Sequence, residues 1–136
     1  MRCFCIGHRD TPETVYPRLL QAMETLVKGG VTEFIVGGYG AFDRMAARAV
    51  NAIKARYAVR LTFLAPYHSR PVPDGFDGAW YPFETVIPPR VAIVRANRAA
   101  VGACDIVLTY VKTTGNARAV GELAESQQKP SVNLAT

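Results

Sequence analysis

Glu33-Phe34-Ile35-Val36-Gly37-Gly38-Tyr39-Gly40-Ala41-Phe42-Asp43-Arg44-Met45-Ala46-Ala47-Arg48-Ala49-Val50 is the stretch on which the fold turns. A short β-branched and aromatic run enters a glycine cluster and leaves as a helical pattern. Phe42, Ala46, Ala49, Val50, Ile53 and Tyr57 stand at i, i+4, i+7, i+8, i+11 and i+15, one face of a 3.6-residue helix. Arg44, Arg48, Asn51 and Lys54 fall mostly on the other face. Strand, glycine turn and helix together present unpaired backbone N–H groups and a positive dipole end to an anion. Without side chains at Gly37, Gly38 and Gly40, the backbone turns sharply and admits a ligand closely. The cluster lacks the Lys-Ser/Thr ending of a P-loop, and Asp43 stands where a dinucleotide fingerprint has its third glycine. No acidic residue closes the next apolar run, Leu61 to Ala65, to hold a ribose in the usual NAD manner. An ordinary Rossmann dehydrogenase is therefore disfavoured.

Outward from this unit, the same alternation repeats. Arg2 to Gly7 reads as a buried strand leaving through His8-Arg9-Asp10. Thr11 is the expected N-cap of the following helix, with Pro12 at its first position. Val15, Leu19, Leu20, Met23, Leu26 and Val27 form its apolar face, and Gly29-Gly30 ends it. Leu61 to Ala65 is a third strand, leaving through Tyr67-His68-Ser69-Arg70. From Arg70 to Pro89 the pattern dissolves among five prolines, with Thr85-Val86-Ile87 the one short strand expected there. Phe76, Trp80, Tyr81 and Phe83 either cover a ligand or pin this loop to the body. A helix is expected from Arg90 to Ala103, then a strand from Ile106 to Val111 leaving through Lys112-Thr113-Thr114-Gly115-Asn116. Asn116 is the expected N-cap of a last helix burying Ala117, Val120, Leu123 and Ala124, broken by Lys129-Pro130 before a final strand, Ser131 to Leu134.

Strands alternating with helices predict an α/β fold: a Rossmann-like three-layer sandwich on a mainly parallel sheet of about five strands. The 136 residues suit a single domain spanning positions 1–136. No apolar run approaches the ~18 residues needed to span a bilayer, and the segment before Gly7 is too short for a signal peptide's apolar region. The cytoplasm is the expected compartment, with no membrane partner. Cys3, Cys5 and Cys104 form no metal spacing or disulfide framework and read as small core side chains. His8 and His68 have no third ligand at a telling spacing, so neither metal nor cofactor is expected. A net charge of +5, with the basic residues scattered, favours anionic partners without marking a nucleic-acid strip.

In parallel sheets ligands sit beyond the carboxyl ends of the strands, and four strand exits here carry polar or glycine-rich residues. Taken in order, Gly7-His8-Arg9, Gly37 to Asp43 with Ala46 to Val50, Asn97-Arg98 leading to Cys104-Asp105, and Thr114-Gly115-Asn116-Ala117 resemble the YpsA-type branch of the SLOG superfamily. That superfamily also holds the LOG phosphoribohydrolases and the Rossmann-like domain of DprA. The resemblance implies a nucleotide-derived ligand at the glycine turns. Gly38, Tyr39 and Gly40 would hold phosphate with Gly7 and Gly37 beside them, and Arg9 would read it through its planar fork. Asp43 would accept ribose hydroxyls, with His8, Asn97, Arg98, Thr114, Gly115 and Asn116 completing the ligand-binding set. LOG enzymes carry Pro-Gly-Gly-x-Gly-Thr-x-x-Glu, and related deoxyribosyltransferases use Gly-Thr-x-x-Glu similarly. Here Asn116 takes the threonine place and Ala119 the glutamate place, with Glu122 three residues further on. The family's Arg-Asn in the fourth region is Ala96-Asn97 here, between Arg95 and Arg98.

The leading expectation is a sensor-type module binding a nucleotide or nucleotide-derived metabolite. The alternatives are N-glycosidic cleavage or transfer on nucleotides, with Asp43 or Glu122 as the acid, and DprA-like binding of single-stranded nucleic acid. A homodimer is expected on general grounds for a domain of this kind.

Overall fold

Cys3 and Cys5 point to one face of the first strand and Phe4 to the other, and all three are buried. Such a strand needs cover on both faces. The computed structural model, which describes residues 1–67 and 71–135, supplies that cover with two helices on each side of a sheet. The strands are β1 (Arg2–Gly7), β2 (Glu33–Val36), β3 (Arg60–Leu64), β4 (Gly78–Trp80), β5 (Ile106–Tyr110) and β6 (Ser131–Asn133). They pair in parallel throughout, in the order β4-β3-β2-β1-β5-β6. The helices are α1 (Tyr16–Lys28), α2 (Ala41–Ile53), α3 (Pro89–Ala103) and α4 (Asn116–Ser126).

The two cores follow from the period of two along each strand. Cys3, Cys5, Phe34, Val36 and Leu108 meet α1 and α2 in the larger core. Phe4, Ile35 and Val107 meet α3 and α4 in the smaller. The chain steps outward from β1 to β4 on one side, and α3 then carries it back to β5 on β1's other flank. The order therefore reverses between β1 and β5, which opens a crevice at their carboxyl ends. Gly7 lies level with Tyr110 at that edge.

Three details differ from the sequence expectation. The sheet has a sixth strand, β4, inside the proline-rich segment, while Thr85-Val86-Ile87 forms none. Gly-Ala-Trp offers no β-branched alternation, so β4 depends on tertiary anchors. The Asp77 carboxylate accepts the Leu61 N–H at 2.8 Å and pairs with the Lys54 ammonium at 2.7 Å. Phe76 meets the Phe63 ring edge-on at 5.3 Å between centroids. Trp80 and Phe83 pack on the smaller core, so these aromatics pin the segment to the body. Thr11 is not an N-cap: its hydroxyl donates back to the His8 carbonyl at 2.6 Å, a short 3-10 turn at Glu13–Val15 follows, and α1 begins at Tyr16. Asn116 is the first residue of α4 rather than its cap, and Gly115 takes that place with φ 144°, a region L side chains rarely adopt. At its far end α4 stops at Ser126, ahead of Lys129-Pro130.

Gly7 and Phe42 decide how α2 seats on β1. A Cβ on Gly7 would fall 2.4 to 2.8 Å from three ring carbons of the fully buried Phe42. Gly7→Ala is expected to destabilise the fold by roughly 1–3 kcal/mol through this overpacking. Gly121→Ala, in a helix with open space around the added methyl, is expected to be neutral or stabilising by about 0.5–1 kcal/mol. Urea denaturation of both variants tests the pair; matching small effects would show that Phe42 gives way.

Candidate functional site

The exits of β1, β2 and β5 converge on a cleft of about 210 Å³ above the carboxyl ends of β1 and β5. Its wall is first of all backbone. The Ala41 N–H donates to the Arg9 carbonyl at 2.9 Å, tying the start of α2 to the β1 exit. Gly40 makes that approach possible, since a Cβ there would lie 2.5 Å from the Arg9 Cα. Opposite, α4 begins at Asn116 with no side-chain cap. The first-turn N–H groups of a helix have no intrahelical acceptor. The starts of two helices, α2 and α4, thus border one cleft with the exposed Arg9, so two dipole ends and one guanidinium stand against the Asp43 carboxyl.

Asp43, the third residue of α2, reaches back so that its Oδ2 accepts the Tyr39 N–H at 2.9 Å. This resembles a capping box closed from the helix side. Gly37 leaves room for the carboxylate, as a Cβ would sit 3.3 Å from Oδ2. Burial raises the Asp43 pKa to about 6, against the opposing pulls of the Tyr39 N–H, Arg44 and Arg9. A carboxyl whose titration is moved this close to physiological pH is typical of sites that exchange protons or bind charge.

His8 is engaged structurally. Its Nε2 accepts the backbone N–H groups of Lys112 at 2.8 Å and Thr113 at 3.2 Å, which places the ring proton on Nδ1. It also meets Tyr110 edge-on, so the imidazole locks the β5 exit to the β1 exit while bordering the cleft. Asn97, in the middle of α3, is only 8 % exposed. Its amide lines the cleft and has no hydrogen-bond partner among the described residues. Its polar atoms are open to the cleft, where solvent or a ligand can pair with them.

Of the residues expected at a ligand site, Gly7, His8, Arg9, Gly37, Tyr39, Gly40, Asp43, Asn97, Gly115 and Asn116 border this cleft. Gly38 turns instead into an adjoining polar depression with Arg44 and Arg48. Arg98 lies in a groove between α3 and α4. Thr114 and Glu122 share a shallow recess outside the cleft, and the Glu122 carboxylate is exposed and paired with Arg118 at 3.1 Å. Glu122 is therefore not brought to Asp43. His68 lies outside the described residues. The cleft also has apolar walls that motif reading did not single out, Ile6 and Ile93. Ile93 stands four residues before Asn97, the spacing of one helix face, and that spacing is the signal that locates it. Cys5 borders the cleft as well, but burial, followed by its contact with Cys3, pushes its thiol well above the ordinary value and leaves it neutral. Among the described residues no cluster of His, Cys, Asp and Glu is arranged to hold a metal, and no helix is long and apolar enough to cross a membrane.

No protein-family model and no curated protein matches this chain. Solved structures do. DNA processing protein A (DprA) from Streptococcus pneumoniae superimposes with a TM-score of 0.74 at 14% identity, over 96% of this chain and 48% of that one. The fold is DprA-like. DprA from Helicobacter pylori, described for its single-stranded DNA binding mode, follows with a TM-score of 0.68 at 17% identity, over 96% of this chain and 63% of that one. The chain thus spans about half to three-fifths of these relatives. The likeness carries the Rossmann-like architecture.

Because the folded-state pKa of Asp43 is raised from 3.8 to about 6, the native state binds a proton that the unfolded chain has lost between these values. Its contribution to stability is full below pH 3.8 and is lost as the pH passes 6. Asp43→Asn keeps an oxygen for the Tyr39 N–H and removes the titration. The variant is expected to gain on the wild type by on the order of 2–3 kcal/mol as the pH rises from 4 to 7. Chemical denaturation across that range checks this, and a constant difference between the two proteins would contradict it.

Proposed function

We propose that this chain is a YpsA-type, sensor-like module that binds a phosphorylated nucleoside in the cleft between β1 and β5. The observation that carries the reading is that the starts of α2 and α4 border one cleft together with Arg9. Backbone N–H groups at Gly115, Asn116 and Ala117 offer donors for phosphate oxygens, and Arg9 adds a bidentate fork. The Asp43 oxygen that does not accept the Tyr39 N–H is left to take ribose hydroxyls. Asp43 is the acidic residue that borders the cleft, and Glu122 lies outside it. Glycosidic cleavage by paired carboxylates needs a second acidic group beside the bond, and Asp43 stands alone in that respect among the described residues of the lining, which favours binding over turnover.

Single-stranded nucleic acid is the second reading, supported by the fold shared with the Helicobacter pylori protein described for that binding. The same donors would then hold one phosphate of a strand.

Calorimetric titration with nucleoside 5′-monophosphates, the matching nucleosides and a short oligodeoxynucleotide separates these. A monophosphate is expected to bind at least tenfold more tightly than its nucleoside, and Arg9→Ala to remove most of that preference. Equal losses for both compounds would mean that Arg9 does not read the phosphate. Tight binding of the oligonucleotide alone would favour the second reading. Mass analysis after incubation is expected to recover the nucleotide intact; release of free base would make the chain an enzyme.

A further inference from the structure

The phosphate site opens sideways into two depressions, and they differ in character. Toward α2, a space of about 400 Å³ is bordered by Arg44, Arg48, Asn51 and Asp74, with Ala47, Pro73 and Phe76 among them. Charges of both signs stand on its rim, and it does not share Asn97 or Asn116 with the cleft. Toward α3 and α4 lies a narrower groove of about 160 Å³, walled by Val94, Val120 and Leu123. Ala119 contributes only a methyl group to its floor, and Arg98 stands at its side. Val94, 47 % exposed, leaves an apolar rim facing solvent.

Asn97 and Asn116 belong to the linings of both the cleft and this groove. Asn116 starts α4, so the donors assigned to phosphate stand at the mouth of the groove. Asn97, more than nine-tenths buried and without a partner among the described residues, stands where the two spaces join. Its carboxamide sets a donor and an acceptor side by side, the pattern that pairs with the edge of a heterocyclic base. Aliphatic walls on both sides suit the faces of a flat ring, with Arg98 the one charged side chain among the described residues of this lining.

We propose that the α3–α4 groove is the base subsite of the nucleotide site, with Val94, Val120 and Leu123 gripping the ring and Asn97 reading its edge. This rests on the phosphate reading above. The geometry makes base identity a property of α3, whereas the helix N-termini recognise any phosphorylated ribose. The occupant is a nucleobase of the same ligand, and the ligand bridges groove and cleft.

The test compares ribose 5-phosphate with the four ribonucleoside 5′-monophosphates by calorimetry, on the wild type, Ala119→Leu and Asn97→Ala. In the wild type at least one nucleotide is expected to bind tenfold or more tightly than ribose 5-phosphate. Ala119→Leu fills the groove from an exposed helix position, and should bring nucleotide affinity down to that of ribose 5-phosphate, whose own affinity stays unchanged. Asn97→Ala should narrow the ranking among the four bases to within about twofold. An unchanged nucleotide advantage in Ala119→Leu, or equal loss for both compounds, would overturn the groove assignment while leaving the phosphate site standing. Failure of the wild type to bind any of the five would remove the phosphate site and the base subsite together. The ligand-free thermal midpoint of each variant, expected to match the wild type, separates loss of binding from loss of fold.

Discussion

The site depends on a contact between two backbones. Gly40 comes so close to Arg9 that no side chain fits between them, and the Ala41 N–H closes the junction on the Arg9 carbonyl. One residue pair further in, Gly7 yields its place to the Phe42 ring. These two glycines let α2 dock on the β1 exit without a spacer. Arg9 is thereby held beside a helix N-terminus, and Gly40 and Asp43 at that end border the cleft. Had either position carried a Cβ, α2 would ride higher on the sheet. The convergence with α4 would then be lost.

Around that junction the polar groups divide by how far the fold itself satisfies them. His8 is consumed by the structure: its acceptor nitrogen holds two N–H groups of the β5 exit. Asp43 is half consumed, with one oxygen on Tyr39 and a pKa pushed to about 6 by burial. Asn97 is buried with its amide unpartnered among the described residues. A side chain chosen for stability alone would not be Asp at position 43, because burial of its charged form carries a desolvation cost. Functional sites commonly retain such costs, and proteins tolerate them because the rest of the fold supplies the difference. Here the compensation is visible in the large fully buried side chains on both faces of the sheet, among them Phe4, Phe34, Phe42 and Phe63.

The DprA-like fold at 14–17% identity shows how little of this architecture resides in particular side chains. A parallel sheet with helices on both faces requires apolar periodicity, right-handed crossovers and turns at the strand exits, and many sequences meet those conditions. Ligand chemistry is set by the few residues that the exits carry. On that account Ala119 and the outlying Glu122 say more about activity than the shared topology does.

The sequence by itself determined the alternation of strands and helices, because both periods, two and 3.6, are local and are written in consecutive side chains. Glycine turns at strand exits have local signatures too, which is why Arg9, Gly37, Gly40, Asp43 and Gly115 could be grouped from sequence, and they border one cleft. Tertiary structure decided the rest. β4 forms only because Asp77 and Phe76 find partners in β3, far away in sequence. Thr11 and Asn116 look like caps from their neighbours, yet the fold uses Thr11 to bond the His8 carbonyl and starts α4 at Asn116 itself. The separation of Glu122 from Asp43, and the joining of the α3–α4 groove to the cleft through Asn97, are set by how helices on one face pack against each other. No local rule encodes those distances, because they depend on the volume of side chains contributed by different elements.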